Sequence, residues 1–260
     1  YRGVIQYRHS NDAMEFNTAD AQRMRILGDG RVLINTSDGA AFSSRKLSVA
    51  DVSSGGTTAI EIRSATNGSG RLYFTDSTSS SDAGSYAGKV FYDHNTDYMG
   101  FYTGGGTNTP GERMKIDAYG RVTTPNQPSF SAHSTSNNWD ISNGSTFPWN
   151  STRHNTGGHF NTSNYRFTAP VTGTYEFSFY SIYNTDLSNS NAACAIRING
   201  STPSGTRCHF NKTGSNWDHV SYSVKIELTA NDYVDMVNDG GQTIRYHGGD
   251  WSSFTGQLVS

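Results

Sequence analysis

Residues 173–182 read GTYEFSFYSI and residues 219–228 read HVSYSVKIEL. In the first, Tyr175, Phe177 and Phe179 alternate with polar residues, and in the second Val220, Tyr222, Val224, Ile226 and Leu228 do the same. A period of two puts one face of each segment in a core and the other in solvent, which predicts half-buried β-strands. Working outward, further strands are predicted at Phe130–His133, Tyr165–Thr168, Ala192–Asn199, Tyr233–Asn238 and Phe254–Val259, each bounded by turn residues. Many short strands at this spacing argue for a sandwich or jelly roll. Pro125 and Pro128 stand within the run Thr124–Pro128 and stop strand pairing. The boundary is therefore placed there, with a jelly-roll globular head at 125–260.

Residues 1–124 are repetitive. YRGVIQYRHSNDAMEF (1–16) returns as YAGKVFYDHNTDYMGF (86–101), a shift of 85, and RMRILGDGRV (23–32) returns as RMKIDAYGRV (113–122), a shift of 90. The difference of five is an insertion, assigned to the Gly- and Pro-rich run TGGGTNTPGE before Arg113. Val32 with Ile34, Leu47 with Val49, Ile60 with Ile62 and Leu72 with Phe74 each suggest short strands, with turns at Gly30 and Gly120. No segment sustains a 3.6-residue period with caps, so helices are expected to be minor. Strands this short cannot bury enough apolar surface in one chain, and neighbouring copies must complete the core. The expected architecture is all-β: a repetitive intertwined homotrimeric β-shaft at 1–124 followed by the head.

The composition narrows the function. Charged residues are 16% of the 260 and the net charge is −2, without the basic excess that would neutralise phosphates, so no nucleic acid is expected as a partner. No run of 18 apolar residues exists and the opening YRGVIQYRHS has no apolar signal segment, so no membrane insertion is expected. Tyr1 falls inside a repeat and is read as the start of a fragment whose N-terminal part is missing.

Two resemblances add to this reading. The run TTAIEIRSATNGSGRLYFTDS (57–77), the aromatic-His-Asp-Met-aromatic block and ERMKIDAYGRV (112–122) together resemble the repeats of marine bacteriophage tail fibres. That implies a virion location and contact with other virion tail proteins through the missing N-terminal part. The head resembles the globular domain of complement C1q and its tumour-necrosis-factor-like relatives. Pro128, Phe130, Ser131 and Ala132 match the opening, and Asn155, Gly157, Phe160, Asn161, Tyr165, Phe167, Pro170, Gly173, Tyr175 and Phe177 match the central block. Ile198-Asn199-Gly200 matches a hairpin turn, Asn231-Asp232-Tyr233-Val234 the Gly-Asp-x-Val turn with Asn231 in place of Gly, and Phe254–Leu258 the closing strand. The resemblance implies a threefold trimer acting as a recognition module.

In that family both termini share one end, so the expected apical loops are roughly 134–146, 183–192, 211–218 and 242–252. Each carries an aromatic and an acid: Trp139 with Asp140, Tyr183 with Asp186, Trp217 with Asp218, and Asp250 with Trp251, flanked by Tyr246 and His247. Rings stack on the apolar face of a sugar while carboxylates accept from its hydroxyls, so this set is the expected receptor site for a host bacterial surface glycan or outer-membrane receptor. Packing of the rings at a trimer apex, and calcium held there by symmetry-related Asp oxygens, stand as alternatives.

No cofactor and no catalytic residue is assigned, so the chain is not read as an enzyme. The Asp residues sit in turn-rich loops where acid–base tuning is hard, no nucleophile elbow appears, and Gly104-Gly105-Gly106 lacks the context of a phosphate loop. His9 and His94 recur in Tyr-x-His-x-x-Asp with Asp12 and Asp97, as either a metal site on a threefold axis or a hydrogen bond holding a strand end. Cys194 and Cys208 lie symmetrically about Ser201, as either a disulfide or two free thiols. The leading function is a tail-fibre tip that binds a receptor, with a glycan-degrading tailspike and a purely structural virion fibre as the other classes.

Overall fold

The structure, a computed structural model, describes residues 2–34, 47–49, 60–74, 87–104, 111–185, 192–211 and 216–260. Every regular element among them is a strand. The chain divides into two compact units, Tyr1–Arg71 with Asp93–Asn95, and Leu72–Tyr92 with Thr96–Ser260.

The first sheet contains β1 (Gly3–Arg8), β2 (Ala13–Thr18), β3 (Ala21–Ile26), β4 (Val32–Ile34) and β5 (Leu47–Val49) in that order. After β6 (Ser69–Phe74) come β7 (Gly88–Asp93), β8 (Tyr98–Thr103), β9 (Gly111–Ile116) and β10 (Val122–Thr123), again neighbours in sequence order. The sequence repeat is a repeat of local geometry. Asp12 and Asp97 both take positive φ (53° and 50°), and each accepts a hydrogen bond from the tyrosine five residues before it, Tyr7 and Tyr92, which ties off the hairpin. In both copies it is the tyrosine and the aspartate of the Tyr-x-His-x-x-Asp motif that make this bond. Gly30 and Gly120 repeat as left-handed turn residues, φ 81° and 78°, where a side chain would be strained. A ladder irregularity recurs too, at Phe16/Asn17 and Phe101/Tyr102. Ile60 and Ile62 belong to no strand, contrary to their alternation, and are 72% and 52% exposed. The Gly-rich insertion lies largely outside the described residues.

The remaining strands are β11 (Ser129–His133), β12 (Trp139–Ile141), β13 (Ser151–Thr156), β14 (Phe160–Asn161), β15 (Arg166–Thr168), β16 (Gly173–Tyr183), β17 (Ala192–Ile198), β18 (Arg207–Phe210), β19 (Asp218–Leu228), β20 (Tyr233–Asn238) and β21 (Ile244–Leu258). They make two sheets, β13-β11-β21-β16-β19 with β12 added to β21, and β14-β15-β20-β17-β18. The inward residues of both sheets meet in a core dominated by rings. Phe130 stacks on Phe160 at 4.6 Å and on Phe167 at 5.2 Å, and Tyr175, Phe177, Phe179, Trp149 and Phe254 are all buried beside them. Each fully buried ring of this size contributes roughly 1.5–3 kcal/mol by transfer from water.

Two turns show how the sequence closes the sandwich. Asn199 and Gly200 both have positive φ, as the hairpin turn between β17 and β18 requires, and Asn231 takes φ 75° where the family pattern has Gly. Asn tolerates that region because its short amide bonds locally. Gly256 on β21 is glycine for a packing reason, since an added Cβ would lie 2.5 Å from Phe130 and 2.7 Å from Phe177. Gly256→Ala is expected to overpack this layer and cost about 1–3 kcal/mol. Denaturant unfolding checks this, and an unchanged midpoint would show that the rings slide aside.

Candidate functional site

Both ends of the sandwich are defined by register. At one end Ser129 faces Gln257, Tyr175 faces Leu258 and Gly173 faces Leu228, so both ends of the head segment lie there. At the other end one row crosses four strands: Trp139 on β12 faces Tyr246 on β21, Tyr246 faces Tyr183 on β16, and Tyr183 faces Asp218 on β19. The structure therefore places Trp139, Asp140, Tyr183, Asp218 and Tyr246 of the expected set at the end opposite the head's own termini, but the members divide sharply by face.

Tyr183 and Tyr246 are core residues, 1% and 0% exposed, and this corrects their assignment as receptor contacts. Tyr183 follows Tyr175, Phe177 and Phe179 by even steps and shares their inward face, and Tyr246 faces it across the ladder. Burial is the main force raising the Tyr183 hydroxyl to about 12, with Asp218 adding to it. Trp139 packs edge-on against buried Trp149 at 6.1 Å. Asp140 holds Arg245 through both oxygens, each at 2.8 Å, and that guanidinium keeps the carboxyl below its usual range. Asp250 is exposed and lies 3.7 Å from Arg153, and Asp186 falls outside the described residues.

Trp217, Asp218 and Trp251 do converge. With Tyr180 and Ile182 of β16, His219 of β19 and His247 of β21 they line an open groove of about 550 Å³ on the outward face of the sheet. Trp217 is 43% exposed and Trp251 53%, and His247 stands between them at 5.1 and 6.2 Å with edge-on ring geometry. The His247 Nδ1 lies 2.9 Å from the Gly248 carbonyl. Because a carbonyl only accepts, that nitrogen is the donor of the pair. Asp218 accepts from the His219 backbone at 2.8 Å, and the same oxygen lies 3.4 Å from the His219 Nδ1.

The position of Trp251 comes from a bulge. Ser181 pairs with Ser252 but Ile182 pairs with His247, so residues 248–251 stand out of the ladder. Gly248 allows this because a Cβ there would overlap the Ser136 carbonyl oxygen, and Gly249 donates to the Ser134 carbonyl at 2.8 Å with φ 61°. What was expected to be a loop at 242–252 is mostly the first half of β21. Sequence reading missed Tyr180, Ile182 and His219, although the parity of β16 and β19 puts all three outward. The groove offers ring faces, a carboxylate and imidazoles, and among the described residues neither Lys nor Arg lines it, a combination suited to a polar ligand with an apolar face. Among the described residues no three acidic, His or Cys side chains gather within one chain as a metal site.

This two-sheet sandwich, with both ends of its chain at one pole and an aromatic groove at the other, defines a jelly-roll binding module. A family model described as the C1q domain matches residues 129–259, which is 259 − 129 + 1 = 131 of 260 residues, and the chain belongs to that family. Domains of this kind are typically non-enzymatic and form homotrimers. Solved structures similar to this chain include the globular domain of zebrafish complement 1qA protein, at 17% identity and TM-score 0.41, covering 52% of this chain and 98% of that one. The Eiger TNF of S. frugiperda (12% identity, TM-score 0.43, 52% and 93% covered) and murine APRIL (9%, 0.42, 51% and 99%) are similar as well. A search of the curated proteins found no match.

Proposed function

We propose that this chain is the distal part of a bacteriophage tail fibre, a homotrimer whose shaft at 1–124 carries a head at 125–260 that binds a host-cell surface glycan. The observation that carries the reading is the groove: two half-exposed tryptophans held at the pole farthest from the head's termini, in a family of binding modules. A fibre meets a cell with that pole first. One shallow groove binds a sugar weakly, but three per trimer and several fibres per virion supply avidity of roughly a hundredfold or more.

Assembly of the shaft is supported by its uncovered faces. Ladder register places Ile5, Phe16, Met24 and Ile34 in one row and Tyr7, Met14, Ile26 and Val32 in the next, on the same face of the first sheet. Ile5, Tyr7 and Met14 are 72%, 49% and 41% exposed. The second sheet repeats the pattern with Met99, Ile116 and Val122, beside Phe101 and Met114. A soluble chain does not leave such faces in water, and two further copies would cover them.

The test is binding of the purified full chain to a panel of marine bacterial strains and its block of phage adsorption. Trp217→Ala and Trp251→Ala are each expected to weaken cell binding by about 1–3 kcal/mol, roughly 5- to 150-fold, with the melting temperature nearly unchanged. Equal loss of stability would assign the rings to packing at a trimer apex, and loss on chelation would point to calcium. Release of reducing sugar would make the protein a tailspike, and no binding at all a structural fibre.

A further inference from the structure

The register of the second head sheet sets Cys194 on β17 directly opposite Cys208 on β18. Both thiols are free, their side chains hydrogen-bond to each other, and they differ in access: Cys194 is 0% exposed, whereas Cys208 is half-buried on a strand paired along one side only. We propose that Cys194 and Cys208 are a reversible dithiol–disulfide pair, closed by exchange with a small-molecule disulfide that enters at Cys208 and is expelled by Cys194.

The chemistry balances. The Cys208 thiolate attacks one sulfur of the external disulfide, forming a mixed disulfide and releasing one thiolate. The Cys194 thiol then gives up its proton to that leaving thiolate and attacks the Cys208 sulfur, and the second half of the reagent departs as a thiolate that takes a proton from water. Two protein thiols are oxidised and one external disulfide is reduced to two thiols.

Three features assign these roles. The attacking cysteine must be reachable, and of the two only Cys208, partly buried against the core on an edge strand, is a residue with exposed surface. It must also ionise readily, and the hydrogen bond from Cys194 lowers Cys208 to about 7 against the opposing effect of burial, while burial raises Cys194 well above its usual range. The expelling sulfur must already be in line, and ladder pairing supplies that without a search. Reversibility follows from sheet geometry, since opposed strand residues hold their Cβ atoms about 4.5–5.5 Å apart. A relaxed disulfide needs about 3.5–4.5 Å, so closing the bond draws β18 inward and leaves it reducible. The closed form would fix an edge strand whose Phe210 packs on Tyr183 at 4.7 Å, behind the groove, and which follows directly on Thr206, whose carbonyl receives the Tyr222 hydroxyl at 3.0 Å.

The experiment treats the native full chain with oxidised glutathione, quenches by alkylation and measures the mass of the peptide carrying both cysteines. Both thiols are expected to disappear together with no glutathione retained, to return on treatment with a dithiol reductant, and to react faster as pH rises through about 7. Cys194→Ala is expected to trap one glutathione on Cys208, and Cys208→Ala to leave Cys194 unreactive in the folded protein. Persistence of two alkylated thiols in the wild type, or wild-type reactivity of Cys194 in Cys208→Ala, would overturn the proposal.

Discussion

Asp235→Ala is expected to lower the stability of the head by about 3–5 kcal/mol, because it strips Arg197, whose side chain is only 20% exposed, of its counter-charge. Asp235 is 0% exposed on β20, and its carboxylate receives Arg197 Nε at 2.7 Å, Arg197 Nη2 at 3.0 Å and Arg166 Nε at 3.3 Å. Arg197 is held further by Thr146 at 2.8 Å, so it cannot swing out without breaking the bridge between that residue and β17. Arg166, with its side chain 38% exposed and its guanidinium over the Tyr233 ring, can rehydrate in place. The penalty therefore falls mainly on Arg197. At roughly 2–4 °C per kcal/mol for a chain of this size, the melting temperature should fall by about 6–20 °C. Asp235→Asn keeps the shape and some of the hydrogen bonds and is expected to cost less. A loss under about 1 kcal/mol for the alanine variant would mean that desolvation of the three charges nearly cancels their attraction.

Neither arginine nor Asp235 was legible as a unit in the sequence, because ladder pairing across 38 and 69 residues is what brings them together. What was legible is whatever alternation writes down directly. β16 and β19 were readable because nearly every inward position is apolar, Ser181 being the buried polar exception on β16, so parity gives both the strand and its face. β13, reading STRHNT, and the two-residue β14 carry no such pattern, and tertiary pairing alone makes them strands. β21 was half visible. Phe254–Leu258 alternates cleanly, but Gly248-Gly249-Asp250 reads as a turn, and in the structure those residues form a bulge that the strand passes through.

The candidate site divides on the same principle. Counting loops put Trp139, Tyr183, Asp218 and Tyr246 at one pole, and they do lie in one row at the pole opposite the head's termini. Counting loops cannot say which side chains face out. Extending the parity of Tyr175, Phe177 and Phe179 by two more steps puts Tyr183 in the core and Tyr180 and Ile182 outside, so that signal was present in the sequence. The bulge that presents Trp251 was not, because it depends on contact between Gly248 and the loop at Ser136.

The largest effect is expected in the shaft, from Ile5→Glu combined with Met14→Glu in the full chain. Both side chains are well exposed in one copy, at 72% and 41%, so a carboxylate at either position costs a single chain little. In a trimer closed over these faces, each position would instead bury a charge among apolar neighbours in all three copies. The lost transfer energy alone is about 1.5–3 kcal/mol per side chain, and six side chains make a total of about 9–18 kcal/mol, comparable to the whole stability of a typical domain. The head belongs to a family of homotrimers and should hold the three copies together, so light scattering should still give a trimer. Limited proteolysis is the discriminating measurement: the wild-type shaft should resist cleavage, while the double variant should be trimmed back to about Pro125 with the head left intact. Asn17→Glu, on the opposite face of β2, serves as the control for added charge. A double variant as resistant as the wild type would show that these rows face water, and any association of the proposed shaft would then have to run along strand edges instead, where the β1 edge of the first sheet could pair with a neighbour.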